Sequence, residues 1–109
     1  MDRVQMSKYR NVKTVVDNIK FDSKKEAKRW FDLNMLQKAG VINSLERQKK
    51  FKLDVNGQLI CTYIADFTYG EGGEFIVEDV KSPASKKLPA YRLKKKLMLA
   101  IYGIEILET

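Results

Sequence analysis

Ile60-Cys61-Thr62-Tyr63-Ile64-Ala65-Asp66-Phe67-Thr68-Tyr69 and Glu74-Phe75-Ile76-Val77-Glu78-Asp79-Val80-Lys81 are two runs rich in β-branched and aromatic residues, separated by Gly70-Glu71-Gly72-Gly73. Such runs around a glycine-rich gap read as an antiparallel β-hairpin. With the gap as a four-residue loop, Tyr69 pairs with Glu74 and Asp66 with Val77. The two-residue side-chain period then sets Asp66, Val77, Asp79 and Lys81 on one face, with Asp66 and Asp79 as diagonal neighbours roughly 7 to 8 Å apart. Ile60, Thr62 and Ile64 share that face, which reads as core-directed. Two carboxylates so placed converge on one cation, and an all-oxygen site suits Mg²⁺, with Mn²⁺ expected to substitute. Lys81, one pleat further on, would orient or deprotonate an attacking water.

The sequence contains no histidine, so hydrolytic chemistry here would rest on carboxylates, lysines and metal. Spacing alone carries little information, because 21 of 109 residues are Lys or Arg. An acidic residue two before a lysine also occurs at Asp22/Lys24 and Glu26/Lys28. Only Asp79/Lys81 lies on an apolar strand with an acidic strand partner upstream. The competing reading makes Asp79 and Lys81 an exposed same-strand ion pair.

Outward from the hairpin, Leu45 to Val55 alternates and meets Asn56-Gly57, a strong two-residue turn signal. Pairing Val55 with Gln58 puts Leu53 opposite Ile60 and Arg47 opposite Asp66; a β-bulge would exchange Arg47 for its neighbour Gln48. Upstream, residues 1–11 are polar and read as a loose segment, and 12–109 as one domain. Lys13 to Val16 and Ile19 to Phe21 flank a turn at Asp17-Asn18. Ser23 opens a helix that runs to about Ala39 and stops at Gly40. Its apolar residues Ala27, Trp30, Phe31, Leu33, Met35 and Leu36 cover much of the circumference. That predicts burial on more than one side, with a homodimer contact as one source of cover. Ser23-Lys24-Lys25-Glu26 is a capping-box pattern, yet Glu26 also shares a face with Trp30 and Leu33. Downstream, residues 82–89 read as a loop, followed by a helix over about Ala90 to Tyr102 with Leu93, Leu97, Ala100 and Ile101 at core spacing, then a strand over Ile104 to Leu107.

The order helix with Glu26, hairpin with Asp66, Asp79-Val80-Lys81, then a basic helix resembles the PD-(D/E)XK nuclease superfamily, especially small Holliday-junction resolvases and related phage-encoded nucleases. Tyr9-Arg10-Asn11, Phe21-Asp22-Ser23-Lys24-Lys25-Glu26-Ala27, Leu45-Glu46-Arg47-Gln48, Tyr63-Ile64-Ala65-Asp66-Phe67 and Glu78-Asp79-Val80-Lys81 carry that likeness to small phage and prophage proteins over nearly the whole chain. Ala65 stands where the superfamily has proline. The resemblance implies an α+β fold with a restriction-endonuclease-like core: a central mixed β-sheet in the order helix-strand-strand-strand-helix-strand. It implies Mg²⁺-dependent hydrolysis of DNA phosphodiesters, with Asp66 and Asp79 as ligands, Glu26 as a further acidic group and Lys81 as the catalytic lysine. It also implies the Val80 carbonyl as a backbone ligand, and favours Gln48 over Arg47 in the site.

Size and charge are compatible with that expectation. One domain of 109 residues buries roughly 60 to 70% of its unfolded surface. The lone Cys61 can form no intrachain disulfide, which with the absence of a secretory pattern or an apolar run of ~20 residues places the chain in a cytoplasm, away from membranes. Cys61 itself reads as a core thiol. A formal charge of +7 suits a polyanion. Lys86, Lys87, Arg92, Lys94, Lys95 and Lys96 follow the acidic strand with no acidic residue from Ser82 to Gly103, and read as contacts to the backbone of duplex or branched DNA. A non-catalytic DNA- or protein-binding module on the same fold is the rival expectation.

Overall fold

The computed structural model describes the backbone of residues 3–6, 12–16 and 19–109, and side chains from Ile19 onward. The chain is a mixed α+β fold. Strands β1 (Arg3–Met6), β2 (Val12–Val16) and β3 (Ile19–Phe21) form a small antiparallel sheet. β1 falls within the segment expected to be loose, and pairs antiparallel with the next strand, β2. The turn expected at Asp17-Asn18 lies outside the described residues. Helix α1 (Lys24–Lys38) follows, then β4 (Asn43–Val55), β5 (Gln58–Glu71) and β6 (Glu74–Asp79). A 3₁₀ turn at Ser85–Lys87 leads into α2 (Pro89–Tyr102), and β7 (Leu107–Glu108) closes the chain. The second sheet has the order β4-β5-β6-β7. It is mixed because α2 carries the chain across the sheet, so that β7 runs parallel to β6.

The β5–β6 register differs from the expected one by two residues. Tyr69 pairs with Ile76, and Glu71 with Glu74, across a two-residue turn at Gly72-Gly73. Both glycines have positive φ, 58° and 82°, the conformation that lets a two-residue turn follow the right-handed strand twist. A shift of two leaves every side chain on its original face. In the neighbouring hairpin Val55 pairs with Gln58 as expected, but a bulge between Leu53 and Asp54 moves Leu53 opposite Cys61 and Arg47 opposite Phe67. Gln48, not Arg47, is therefore bracketed across from Asp66.

Two hydrophobic clusters flank this sheet. Phe51, Leu53, Tyr63, Ala65 and Val77 pack with Tyr91 and Met98 of α2, while Phe67 and Tyr69 pack with Phe21, Ala27 and Leu33 on the α1 side. Ala65 and Phe67, two residues apart on one strand, thus serve different clusters. The crossover falls at Asp66, between the pairs Arg47↔Phe67 and Lys49↔Ala65, where Gln48 adopts φ 57°.

Three packing expectations are corrected. Ile60 and Ile64 are about half exposed; the inward residues are Tyr63 and Ala65, whose ring and methyl face α2. Phe31 and Met35, one turn apart on α1, are 59% and 51% exposed, so that helix is covered on one side. On α2 the inward residues are Tyr91 and Met98, with Leu97 and Ile101 alongside; Leu93 and Ala100 are exposed, because each lies two residues, about 200° of helix, beyond an inward residue. Cys61 is partly buried against the α2 cluster.

Candidate functional site

Continued one place past Phe67↔Glu78, the β5–β6 ladder sets Asp66 opposite Asp79. Each carboxylate is oriented by main chain. Asp79 Oδ1 accepts from the Asp66 amide at 3.1 Å, and Asp66 Oδ2 accepts from the Val80 amide at 2.9 Å. Asp79 Oδ2 accepts from the Tyr63 hydroxyl at 2.7 Å and lies 3.5 Å from the Lys81 ammonium. From the other side the Thr109 amide donates to the Asp79 carbonyl at 3.0 Å, and the Lys81 amide donates to the Thr109 carbonyl at 2.9 Å. Val80 is pinned between these two bonds. The Lys25 ammonium donates to the Lys81 carbonyl at 2.9 Å, tying α1 to the same segment.

Glu26 enters from the first turn of α1. Its amide donates to Ser23 Oγ at 3.1 Å, so Ser23 is the helix cap. Its carboxylate accepts from the Asp22 amide at 3.4 Å rather than from the cap residue itself, so the reciprocal half of the capping box is not made. That buried carboxylate sits beside Asp66. Capping and site roles therefore both have an observation behind them.

Glu26, Asp66, Val80 and Lys81 line a cavity of about 580 Å³ with Ser82 and Ser85. Asp79 is buried behind this lining. Gln48 is exposed and outside it; Arg47 is outside it too, its guanidinium 4.9 Å from the Phe21 ring centre and 5.9 Å from that of Trp30. Of the basic residues, Lys86, Arg92, Lys95 and Lys96 line a second concavity of about 320 Å³ with Leu99 and Glu108. Lys87 and Lys94 are not in that lining. Ser85 and Lys86, adjacent in the 3₁₀ turn, belong one to each cavity.

Sequence reasoning missed Tyr63, Tyr91 and Glu108. The Tyr91 hydroxyl donates to Glu108 Oε2 at 2.6 Å, and its ring centre lies 4.2 Å from the Lys81 ammonium. The one available signal was Tyr91 seven residues before Met98, two helical turns along the inward stripe. Also missed was Glu78, fully buried on the opposite face and held by Arg29, Tyr69 and Thr109.

The acidic pair carries charge that its surroundings do not fully offset. Burial pushes the Asp66 carboxyl up to about 6, with the Glu26 charge adding to the effect and the Val80 amide opposing it. Burial and the Asp66 charge likewise push Asp79 up to about 6, against the Tyr63 hydroxyl and Lys81. Both folded values lie above the ordinary carboxyl value, so the folded state binds protons more tightly than the unfolded chain between about pH 4 and 6. Stability from this pair is present below that window and lost as pH rises through it, by on the order of 3 kcal/mol. Glu108, held down by the Tyr91 hydroxyl and Lys95, contributes with the opposite sign. Metal-free protein should therefore melt at a higher temperature at pH 5 than at pH 7.5, with the difference shrinking when excess Mg²⁺ is added at pH 7.5. Equal metal-free melting temperatures at the two pH values would contradict this charge balance.

Asp66 and Asp79 offer the oxygen donors that a hard divalent cation takes. Asp66 and Asp79 retain unused lone pairs, and neutralising their repulsion would relieve the cost just described. Among the described residues no three acidic, thiol or imidazole side chains converge closely enough to form a complete protein cage. Mg²⁺ does not require one, since one or two carboxylates plus water and substrate phosphate commonly hold it. No helix among the described residues is long and apolar enough to cross a membrane.

No curated protein and no solved structure matches the chain. A family model does match, over residues 6–104, and the chain accordingly belongs to the family described as "Protein of unknown function (DUF1064)".

Proposed function

We propose that this protein is a Mg²⁺-dependent DNA endonuclease that hydrolyses phosphodiester bonds on a restriction-endonuclease-like core. The observation that carries the reading is the Asp66–Asp79 pair, held opposite each other by backbone amides, with Lys81 3.5 Å from Asp79 and Glu26 beside Asp66 at one cavity. Asp66 and Asp79 would hold the metal, with Glu26 and the Val80 carbonyl as further oxygen donors. When bound, the ion would polarise a phosphoryl oxygen and acidify a water. Lys81 would orient that water or offset charge developing on the phosphate. Tyr63 fixes the Asp79 carboxylate and, with its own ionisation pushed far up by burial and by Asp79, stays a neutral donor. Lys86, Arg92, Lys95 and Lys96 would carry the backbone of the same strand away from the cavity, since the 3₁₀ turn joins the two concavities. Action on branched DNA would require two copies acting on two strands, and the outward Phe31 and Met35 offer apolar surface for a homodimer.

One observation favours the rival reading of a DNA- or protein-binding module: both Asp79 oxygens already accept hydrogen bonds, one of them also facing Lys81. Two measurements separate the readings. Purified protein should cut linear duplex or four-way-junction DNA with Mg²⁺ and not with EDTA, and calorimetric titration should show metal uptake. Absence of both cleavage and uptake would leave the binding module as the better account.

A further inference from the structure

The Lys81 ammonium is held on two sides. Asp79 Oδ2 is 3.5 Å away and the Tyr91 ring centre is 4.2 Å away, well within the ~6 Å over which an aromatic face attracts a cation. The ring cannot drift, because its hydroxyl donates to Glu108 Oε2 at 2.6 Å and the Lys95 ammonium lies 3.4 Å from the same oxygen. Glu108 is in turn the ladder partner of Asp79 across β6 and β7. Lys81, Tyr91, Glu108 and Asp79 thus form a closed circuit on one side of the sheet. A lysine with four rotatable bonds otherwise samples many rotamers, and immobilising its ammonium is what a defined role in the reaction requires.

Resting on the proposed hydrolysis at Asp66 and Asp79, we infer that Tyr91, braced by Glu108, is the positioning residue that holds the Lys81 ammonium against Asp79. Tyr91 touches no substrate in this account and acts through Lys81. It is also a core residue packed in the α2 cluster, so the test must separate positioning from packing.

The first measurement needs no substrate. Protons above an aromatic face resonate upfield, so the Lys81 Hε signals should lie upfield of those of the other lysines. They should move part of the way back in Tyr91→Phe, which keeps the ring but loses the Glu108 brace, and return to the common position in Tyr91→Leu. Lys81 Hε signals at the common position in the parent protein would overturn the inference whatever the activity. The second measurement is kinetic. Tyr91→Leu should lower kcat about tenfold or more, as expected for a displaced reacting group, with KM little changed. Tyr91→Phe, with the ring but without the Glu108 brace, should fall between the parent and Tyr91→Leu, and Lys81→Ala/Tyr91→Leu should be no slower than Lys81→Ala alone. Additive losses in the double variant, or parental kcat in a folded Tyr91→Leu, would overturn positioning. A parent protein that cleaves nothing would refute the hydrolysis reading, and the Lys81 signals would then decide the contact on their own.

Discussion

Asp66→Asn is expected to lower Mg²⁺-dependent cleavage by about a hundredfold or more while raising the melting temperature of the metal-free protein at pH 7.5. The two effects have one cause. The carboxylate is raised to about 6 because burial and the neighbouring Glu26 charge disfavour its ionised form. Asparagine keeps an oxygen for the Val80 amide but removes the charge, so the folded state sheds a repulsion present only above about pH 6. Relief of 1 to 2 kcal/mol is a reasonable magnitude, equivalent to roughly 4 to 8 °C per kcal/mol in a domain of this size. The same substitution removes a ligand charge that a divalent ion would need, and a hundredfold loss corresponds to about 2.7 kcal/mol of barrier. Thermal melts with and without metal, alongside single-turnover cleavage, read both signs. A variant that cuts as fast as the parent would sink the metal role. A lower melting temperature without metal would sink the electrostatic account.

Glu78→Ala is expected to cost about 3 to 5 kcal/mol, enough to unfold much of the population in a domain of ordinary stability. Glu78 is fully buried, and its two oxygens accept from Arg29 Nε at 2.6 Å, Arg29 Nη2 at 2.8 Å, the Tyr69 hydroxyl at 2.6 Å and Thr109 Oγ1 at 3.2 Å. Truncation would strand four donor groups, on three residues of α1, β5 and the segment after β7, around a void. The pairing holds the Arg29 ionisation far above its ordinary value, chiefly through the Glu78 hydrogen bonds. Asp32→Ala, which removes the exposed Lys28–Asp32 pair at 3.7 Å, should change stability by no more than about 0.5 kcal/mol. Urea denaturation of the two variants measures the contrast. A Glu78→Ala midpoint close to that of Asp32→Ala would show that the buried node is not what joins α1 to the sheet.

The hairpin and α1 were legible in sequence because each is encoded locally. Alternation marks β5 and β6, and Ser23 with Gly40 brackets the helix. Asp66 and Asp79 remained neighbours although the register was misjudged, since the error was an even number of residues and a pleated strand repeats every two. The turn was misjudged because Gly70-Glu71-Gly72-Gly73 admits either loop length, and only the paired positive φ angles at Gly72 and Gly73 select the shorter one. The bulge at Leu53 and Asp54 carries no glycine or proline to announce it, so Arg47 took the place of Gln48 opposite Asp66. Tyr91, Glu108 and Glu78 were illegible for a different reason. Their partners lie 9 to 49 residues away along the chain and on other elements, and nothing local distinguishes a tyrosine that braces a lysine from one that fills space.

The handover at Asp66, where a single pair of strands stops serving the α2 cluster and begins serving the α1 cluster, bears on how the molecule comes apart. Each half of the long β4–β5 ribbon packs on one helix, yet the two halves are one continuous pair of strands, so loosening one helix strips support from the ribbon that the other helix leans on. Heat or urea is therefore expected to melt the ribbon and both helices as one cooperative unit, with Asp66 at the handover and Asp79 beside it at the end of β6.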